Sequence, residues 1–383
     1  MTSTSEGKQT ILIVDDDPAN IRMVQFILNG EYTIRVATSG RMAFDLVKID
    51  PPPDLILLDV TMSEMDGYEV CCILKATRGI SDIPVIFLTG NTEASDETKG
   101  FAAGAVDYIH KPFSPSVVKA RIRTHLMLRK ARQQLAQQLV AVNDELEMAR
   151  EIQLSILPRE TPKIKGVHIT TRYVPTGSVA GDFYDFIVVD EQHVGILIAD
   201  VSGHGLPAAL IASMLHAVFA AQSGHAAEPG LVLAGLNQAL CGKFIRHFVT
   251  AAYLFVDMEN NFLSYAAAGH PPLVRWRTAS GSISEISEGG LILGPFPEAT
   301  YSEVHLPVEA GDRVILYTDG ILEAMNPAEK MFGADRFKRY LQSNSSLKGG
   351  PLADSLLDEL SRWTELPNGH RQQDDITLVL IEF

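Results

Sequence analysis

The amino-acid sequence predicts a doubly wound α/β domain, a helical linker and an α+β domain, in that order. Three observations indicate this organisation. The first third of the chain alternates short apolar runs with helix-patterned segments, residues 117–157 contain neither Gly nor Pro, and the last part groups strand-like runs around long helices. A chain of 383 residues also suits two or three domains. We therefore expect domains at 8–122 and 160–383, with a linker at 123–159.

The composition is that of a globular protein, with 46% hydrophobic and 21% charged residues. Asp and Glu total 47 against 32 Lys and Arg, which gives a formal net charge of −15. Because such a field repels phosphate backbones and anionic lipids, we expect neither nucleic acid nor membrane as a partner. The odd number of cysteines, three, and a polar N-terminus without an apolar signal segment favour a reducing, cytoplasmic location.

The first domain contains five short runs that are apolar throughout, as is typical of strands buried on both faces. Because helix-patterned segments separate these runs, we expect a parallel five-stranded sheet with helices on both faces. The predicted strands are Ile11–Val14, Thr33–Ala37, Leu55–Leu58, Val85–Leu88 and Ala105–Ile109. The predicted helices are Ile21–Leu28, Met42–Lys48, Tyr68–Lys75 and Glu93–Ala102.

The linker carries apolar residues at alternating spacings of three and four, from Leu128 to Ile156. Two polar residues, Arg132 and Gln153, interrupt this stripe. A sustained heptad pattern predicts a coiled coil, most simply a parallel homodimer. The alternative is a single amphipathic helix that packs on its own domain, and in either case Pro158 ends the helix.

The last domain has strand-like runs and long helices that do not alternate strictly, which is typical of α+β layers. The predicted strands are Val194–Ala199, Val249–Val256, Phe262–Ala267, Val314–Tyr317 and Ile376–Ile381. The predicted helices are Pro207–Gln222, Pro229–Arg246 and Pro351–Trp363.

Polar residues follow the predicted strands of the first domain. Asp15 and Asp16 end the first strand, Asp59 ends the third, Thr89 ends the fourth, and Lys111 follows the fifth. Because the carboxyl ends of parallel strands share one edge, we expect these side chains to converge. Three close carboxylates favour a hard cation such as Mg²⁺. An aspartate beside Mg²⁺ can accept a phosphoryl group, whose oxygens the ammonium and the hydroxyl would bind.

Five motifs in this domain resemble those of the response-regulator receiver domain: Ile11–Pro18, Leu58–Val60, Met65–Gly67, Leu88–Gly90 and Lys111–Phe113. The resemblance implies that Asp59 is the phosphoacceptor, with a sensor histidine kinase as donor. It further implies that Mg²⁺ is bound by Asp16, Asp59 and the carbonyl of Thr61, while Asp15 contributes through water.

Two further positions bear on the receiver resemblance. Tyr108 matches the family's rotating aromatic switch residue. Ser63 departs from the family pattern, since the family usually has Pro after the phosphoacceptor, but the change removes no ligand. A degenerate receiver that only packs or dimerises is the alternative, although every position that carries the chemistry is filled.

The second domain carries four further aspartate clusters, each beside Gly or a strand terminus. They are Ala180–Asp185, Ala199–Gly205, Tyr317–Gly320 and Gln373–Thr377. Separated aspartates with small neighbours suit an all-oxygen site for two metal ions. The sequence offers no Cys or His cluster of the kind that zinc needs, so Mg²⁺ or Mn²⁺ is expected. Two such ions about 4 Å apart can share a water, lower its pKa and direct it at phosphorus.

These clusters resemble the SpoIIE-like branch of the PPM metal-dependent serine/threonine phosphatases, over residues 160–383. The resemblance implies an αββα sandwich with the metals between the two sheets. It implies that Asp200 bridges both ions, that Asp182 and the carbonyl of Val201 complete one ion's ligands, and that Asp319 and Asp374 serve the other ion.

Several residues near these motifs have two interpretations. His204 is either a general acid or a loop or helix-capping residue, because its spacing from Asp200 differs from that in the broader family. Arg172 and Arg313 are candidates for binding the substrate phosphate by charge sign alone, since most surface arginines are merely solvated. Asp185 and Asp375 lie near the motifs but are interpreted as turn or supporting residues, and His270 is interpreted as structural.

The segment Glu145–Pro158 resembles the leader that precedes this phosphatase type in RsbU-like regulators. The resemblance implies a phosphatase under receiver control that acts on a phosphoserine or phosphothreonine protein, an anti-sigma-factor antagonist. A catalytically inactive adaptor that binds a partner is the alternative. The motif Gly181–Phe183 also suggests a nucleotide cyclase, but it lacks that family's second acidic residue and leaves the later aspartates unexplained.

Overall fold

This computed structural model describes residues 8–90, 94–244, 246–366, 369–370 and 374–383. The chain divides into two compact units, Met1–Ala141 and Val142–Phe383. Within the described ranges, no helix has both the length and the apolar composition needed to cross a membrane.

The first unit contains a parallel five-stranded sheet with helices between successive strands. The strands are β1 Thr10–Val14, β2 Thr33–Ala37, β3 Leu55–Asp59, β4 Val85–Thr89 and β5 Asp107–His110. The helices are α1 Pro18–Leu28, α2 Gly40–Leu46, α3 Gly67–Ala76 and α4 Ala94–Ala102. The strand order is β2-β1-β3-β4-β5, and every neighbouring pair is parallel. The predicted doubly wound fold is confirmed, although β5 begins at Asp107 rather than Ala105.

One helix, α5, runs for 42 residues from Pro115 to Ile156. Its first turns pack in the core of the first unit through Val118, Ile122 and Leu126, which are at most 3% exposed. The predicted long linker helix is therefore confirmed, and it is continuous with the last helix of the first domain. The coiled-coil dimer stays a prediction.

The second unit consists of two five-stranded sheets and a short hairpin. Its strands are β6 His168–Val174, β7 Phe183–Val188, β8 His193–Val201, β9 Val249–Asp257, β10 Phe262–Ala268, β11 Leu273–Arg277, β12 Ser282–Ile286, β13 Val304–Pro307, β14 Arg313–Tyr317, β15 Glu365–Leu366, β16 Gly369–His370 and β17 Ile376–Glu382. Its helices are α6 Leu206–Ala220, α7 Pro229–Leu240, α8 Gly333–Ser343 and α9 Gly349–Trp363, with 3₁₀ turns at Ser223–His225 and Asp319–Ile321.

The two large sheets form the predicted αββα sandwich. One has the order β13-β10-β9-β8-β7 and the other β12-β11-β14-β17-β6, and all pairings in both are antiparallel. Helices α6 and α7 contact the first sheet, and α9 contacts the second. Apolar side chains from both sheets share one core cluster, which fixes the strand ends that carry the aspartates.

The sequence prediction of the second unit was wrong at one helix end. Helix α7 ends at Leu240 rather than at the predicted Arg246. Gly242 follows with φ +72°, a backbone conformation that glycine adopts without strain and that ends a helix.

Candidate active sites

The predicted polar residues of the first unit do converge at the carboxyl edge of its sheet. Lys111 Nζ lies 3.1 Å from Asp15 Oδ2 and 2.9 Å from Asp59 Oδ1. Carboxylate oxygens of Asp15, Asp16 and Asp59 lie within 4.8 Å of one another. Burial raises the pKa of Asp59, against the hydrogen bond from Lys111, and the Asp15 carboxylate raises it further. One ammonium therefore balances three carboxylates only in part, and this oxygen donor set fits Mg²⁺.

The loop after β3 supports this pocket through its backbone. The amide of Ser63 donates to Asp16 Oδ2 at 2.9 Å, a bond that the family's usual proline could not make. The amide of Thr61 hydrogen-bonds the Asp59 carboxylate, which places Thr61 beside the predicted phosphoacceptor. Gly67 lies so close that an added Cβ would stand 2.2 Å from the carbonyl oxygen of Asp59.

The predicted switch residues lie under the same edge. Thr89 ends β4 and is 5% exposed. Tyr108 is 4% exposed, with its ring centroid 5.5 Å from that of Phe87 and 5.3 Å from that of Phe101. A Cβ on Gly100 would stand 1.6 Å from the Tyr108 hydroxyl oxygen, so this glycine makes room for the inward ring.

In the second unit, Asp182 is the most deeply buried of the predicted aspartate ligands, at 2% exposed. The hydroxyls of Thr318 and Thr377 both donate to its Oδ2, at 2.8 and 2.6 Å. Burial raises the pKa of Asp182 well above its ordinary value, and the nearby Asp200 raises it further. The two threonines were not predicted from the sequence, and they fix the orientation of this carboxylate.

Asp200 lies one residue before the end of β8. Burial raises its pKa to about 7, and the charges of Asp319 and Asp374 add to the shift. Carboxylate oxygens of Asp319, Asp374 and Glu323 lie within 4.8 Å of one another. Glu323 was not predicted as a ligand; its only sequence signal is its position four residues after Asp319. The cluster thus gathers negative charge that divalent cations would neutralise.

Asp375 supports the site without joining the cluster of close carboxylates. Its Oδ1 accepts from the amide of Thr176 at 2.7 Å, and its Oδ2 accepts from the amide of Gly181 at 2.8 Å. An added Cβ on Gly181 would stand 2.7 Å from the carbonyl oxygen of Val201. The loop that bears Asp182 is therefore tied to the residue after Asp374 and lies against the carbonyl predicted as a ligand.

His204 is exposed between Gly203 and Gly205, whose φ values are +89° and +79°. It lies near enough to Asp374 to lower that residue's pKa, although burial raises the same pKa more strongly. The N-cap of α6 is Gly205, with no side-chain hydrogen bond, so the helix-capping interpretation of His204 is wrong. The general-acid role stays a prediction.

Two other ionisable residues take structural positions. Asp185 Oδ2 lies 3.0 Å from Nδ1 of His216 on α6. His270 is 9% exposed, contacts the Thr250 hydroxyl at 3.0 Å, and has its pKa lowered to about 3 by burial. A neutral buried histidine of this kind supports the loop between β10 and β11, in which it lies.

Neither arginine considered for phosphate binding is free to do so. Arg172 makes a two-point ion pair with Asp354, at 2.6 and 2.9 Å. Arg313 is 2% exposed and pairs with Glu382 at 3.1 Å. It begins β14, whereas Asp319 follows the other end of that strand, so the structure does not support Arg313 as a phosphate-binding candidate.

Comparisons with known proteins match both parts of the chain. The model of the response regulator receiver domain matches residues 11–123, and that of stage II sporulation protein E (SpoIIE) matches residues 190–383. Phosphoserine phosphatase RsbP of Bacillus subtilis is 30% identical over 243 residues, which are 62% of this chain and 57% of RsbP. Phosphoserine phosphatase RsbU of the same species is 26% identical over 241 residues, 63% of this chain and 70% of RsbU.

The SiaA-PP2C domain of Pseudomonas aeruginosa has a similar fold. It superposes with a TM-score of 0.56 and 24% identity, covering 65% of this chain and 98% of that one. The chain thus spans little more than half the length of RsbP, while the solved domain is matched almost entirely.

Proposed function

The chain belongs to the SpoIIE family, and from this premise we propose that its second unit is a metal-dependent protein-serine/threonine phosphatase controlled by its receiver domain. The two family resemblances inferred from the motifs are confirmed. The domain limits 8–122, 123–159 and 160–383 stay predictions.

The observation that carries this proposal is the convergence of carboxylates on Asp200. This residue interacts electrostatically with Asp182, Asp319 and Asp374, as expected of a ligand shared by two ions. Asp182 and the carbonyl of Val201 would complete one ion's ligands. Two Mn²⁺ or Mg²⁺ ions held there would lower the pKa of a shared water and neutralise phosphoryl charge.

The receiver pocket supports the regulatory half of the proposal. Asp15, Asp16 and Asp59 would hold Mg²⁺ with the carbonyl of Thr61, and Asp59 would accept a phosphoryl group from a sensor histidine kinase. Lys111 already contacts two of these carboxylates and would bind the oxygens that arrive with the phosphoryl group.

The substrate class rests on the relatives. RsbP and RsbU are both named phosphoserine phosphatases, which supports a phosphoserine or phosphothreonine protein as substrate. The motif resemblance narrows this to an anti-sigma-factor antagonist.

A phosphatase assay with Mn²⁺ on p-nitrophenyl phosphate and on a phosphoserine protein tests the proposal. Wild type should be active, whereas Asp200→Asn and Asp319→Asn should each lose several powers of ten, because each removes charge from a dimetal site. Asp358→Asn, at an exposed position on α9, is the matched control and should keep full activity. Wild-type inactivity on both substrates would instead favour the adaptor, and full activity in either site variant would overturn the ligand assignment.

A further inference from the structure

Gln153 is a buried polar residue near the end of the linker helix. It is 5% exposed, although residues 131–145 of the same helix are exposed. Its Nε2 donates to the carbonyl oxygen of Ala180 at 2.6 Å, and its Oε1 accepts from the amide of Ala180 at 3.0 Å. One side chain therefore satisfies both backbone groups of Ala180, as a neighbouring strand would in a sheet.

Ala180 lies in the loop between β6 and β7, two residues before Asp182. The next residue, Gly181, donates its amide to Asp375 at 2.8 Å and accepts from the amide of Val201 at 3.3 Å. An added Cβ on Gly181 would stand 2.7 Å from the Val201 carbonyl oxygen. The loop is therefore packed closely against Val201. A displacement of Ala180 would therefore reach both Asp182 and the Val201 carbonyl.

The polar residue at this position is not explained by packing. Gln153 occupies a position of the apolar heptad stripe, and its neighbours Ile156 and Leu157 pack against the core of the second unit. An apolar side chain at 153 would continue that stripe, but it would leave two backbone groups of Ala180 without a partner. The presence of glutamine at 153 is therefore explained by its hydrogen bonds to the loop and not by the packing of the helix.

We propose that Gln153 is a positioning residue through which helix α5 holds the Asp182 loop in its metal-binding conformation. This inference rests on the proposed function for its activity readout. It places one specific contact between the helix that leaves the receiver domain and the predicted metal site, so that a shift of the last helical turn moves Ala180 and the ligands after it.

The test uses the full chain with three substitutions. Gln153→Leu removes both hydrogen bonds at similar volume. Gln153→Glu keeps the acceptor but opposes a carboxylate to the Ala180 carbonyl. Gln137→Leu makes the same chemical change at an exposed position of the same helix and is the control.

Three readouts are compared: Mn²⁺ affinity by calorimetry, hydrogen exchange of the amides at 180–182, and kcat at saturating Mn²⁺. We expect Gln153→Leu to weaken Mn²⁺ binding in the second unit about tenfold and to speed exchange at 180–182. Gln153→Glu should change both readouts at least as much, because it buries a charge against the Ala180 carbonyl, and Gln137→Leu should match wild type. Thermal unfolding in EDTA identifies any variant that fails to fold, in which case the other Gln153 variant decides.

A folded Gln153→Leu chain with wild-type Mn²⁺ affinity and wild-type exchange would overturn the inference. A merely structural role of Gln153 would lower the unfolding temperature without changing the Mn²⁺ affinity or the hydrogen exchange at 180–182 in the folded chain. Wild type without phosphatase activity would count against the proposed function alone, since exchange at 180–182 still tests the contact of Gln153.

Discussion

Asp200 combines burial with four neighbouring acidic residues that raise its pKa, and this has a consequence for stability. Its pKa is raised to about 7 in the folded chain, from an ordinary value of 3.8. Between these values the metal-free folded state keeps a proton that the unfolded state releases, so the free energy of unfolding falls as pH rises. The same charge density that opposes ionisation is what makes the site favourable for cations.

We predict that metal-free protein is less stable at pH 7.5 than at pH 5.5, and that Asp200→Asn reduces this difference. The reason is that asparagine carries no charge to bury at the higher pH. Thermal unfolding of the second unit in EDTA at both pH values measures the effect. Equal pH dependence in wild type and variant would show that Asp200 does not titrate in this range.

Glu323 is the site residue for which a single substitution is most informative. Because its carboxylate lies within 4.8 Å of those of Asp319 and Asp374, Glu323→Gln should raise the Mn²⁺ concentration for half-maximal activity about tenfold. Glu298→Gln, at an exposed position, serves as the control. Identical Mn²⁺ dependence in both variants would show that Glu323 does not contribute to metal binding.

Some site residues could be predicted from the sequence, and others could not. Asp59, Asp200 and Asp319 were found because each follows an apolar run that becomes a buried strand. Thr318 and Thr377 were missed, since threonine beside a strand is ordinary and only the folded chain shows both hydroxyls on Asp182.

At the level of elements, the sequence predicted every central strand of the two large sheets of the second unit except β11. It predicted none of their edge strands. The four edge strands are β6, β7, β12 and β13. The edge strands β12 and β13 contain only intermediate and exposed positions, so they lack the continuous apolar run that identifies a central strand. Strand β11 is largely buried but was missed because Arg275 interrupts its apolar residues.

The stripe on α5 makes a prediction about assembly. Leu128, Leu135, Leu139 and Val142 are each more than half exposed, at 55, 58, 56 and 51%. If a second copy covers this stripe, Leu135→Asp with Leu139→Asp should weaken the dimer at least about tenfold, because each change buries a charge in a coiled-coil seam. Analytical ultracentrifugation measures this, with Gln137→Asp as the exposed control. A wild-type monomer would contradict the coiled coil.

At the scale of the whole molecule, the order of receiver, long helix and phosphatase domain was predictable because each part has its own hydrophobic pattern and motifs. The contact of Gln153 with Ala180 was not predictable, because it joins two motifs 27 positions apart and neither motif indicates that they meet. A cytoplasmic location stays a prediction from cysteine number and N-terminal composition.

Control by the receiver predicts that the phosphatase rate changes when Asp59 is occupied. Beryllofluoride or acetyl phosphate should alter the rate on a phosphoserine protein in wild type but not in Asp59→Asn, because the variant lacks the acceptor carboxylate. An unchanged wild-type rate would remove the regulatory link, although both domains would keep their separate chemistry.

The central claim, that aspartates from distant parts of the chain form a two-ion site, is tested most directly by counting bound Mn²⁺ in calorimetric titrations of wild type and Asp200→Asn. We predict that wild type binds one ion in the receiver and two in the phosphatase domain. Asp200→Asn should weaken the latter two at least about tenfold and leave the receiver ion unchanged. Identical number and affinity of bound ions in both proteins would contradict the account.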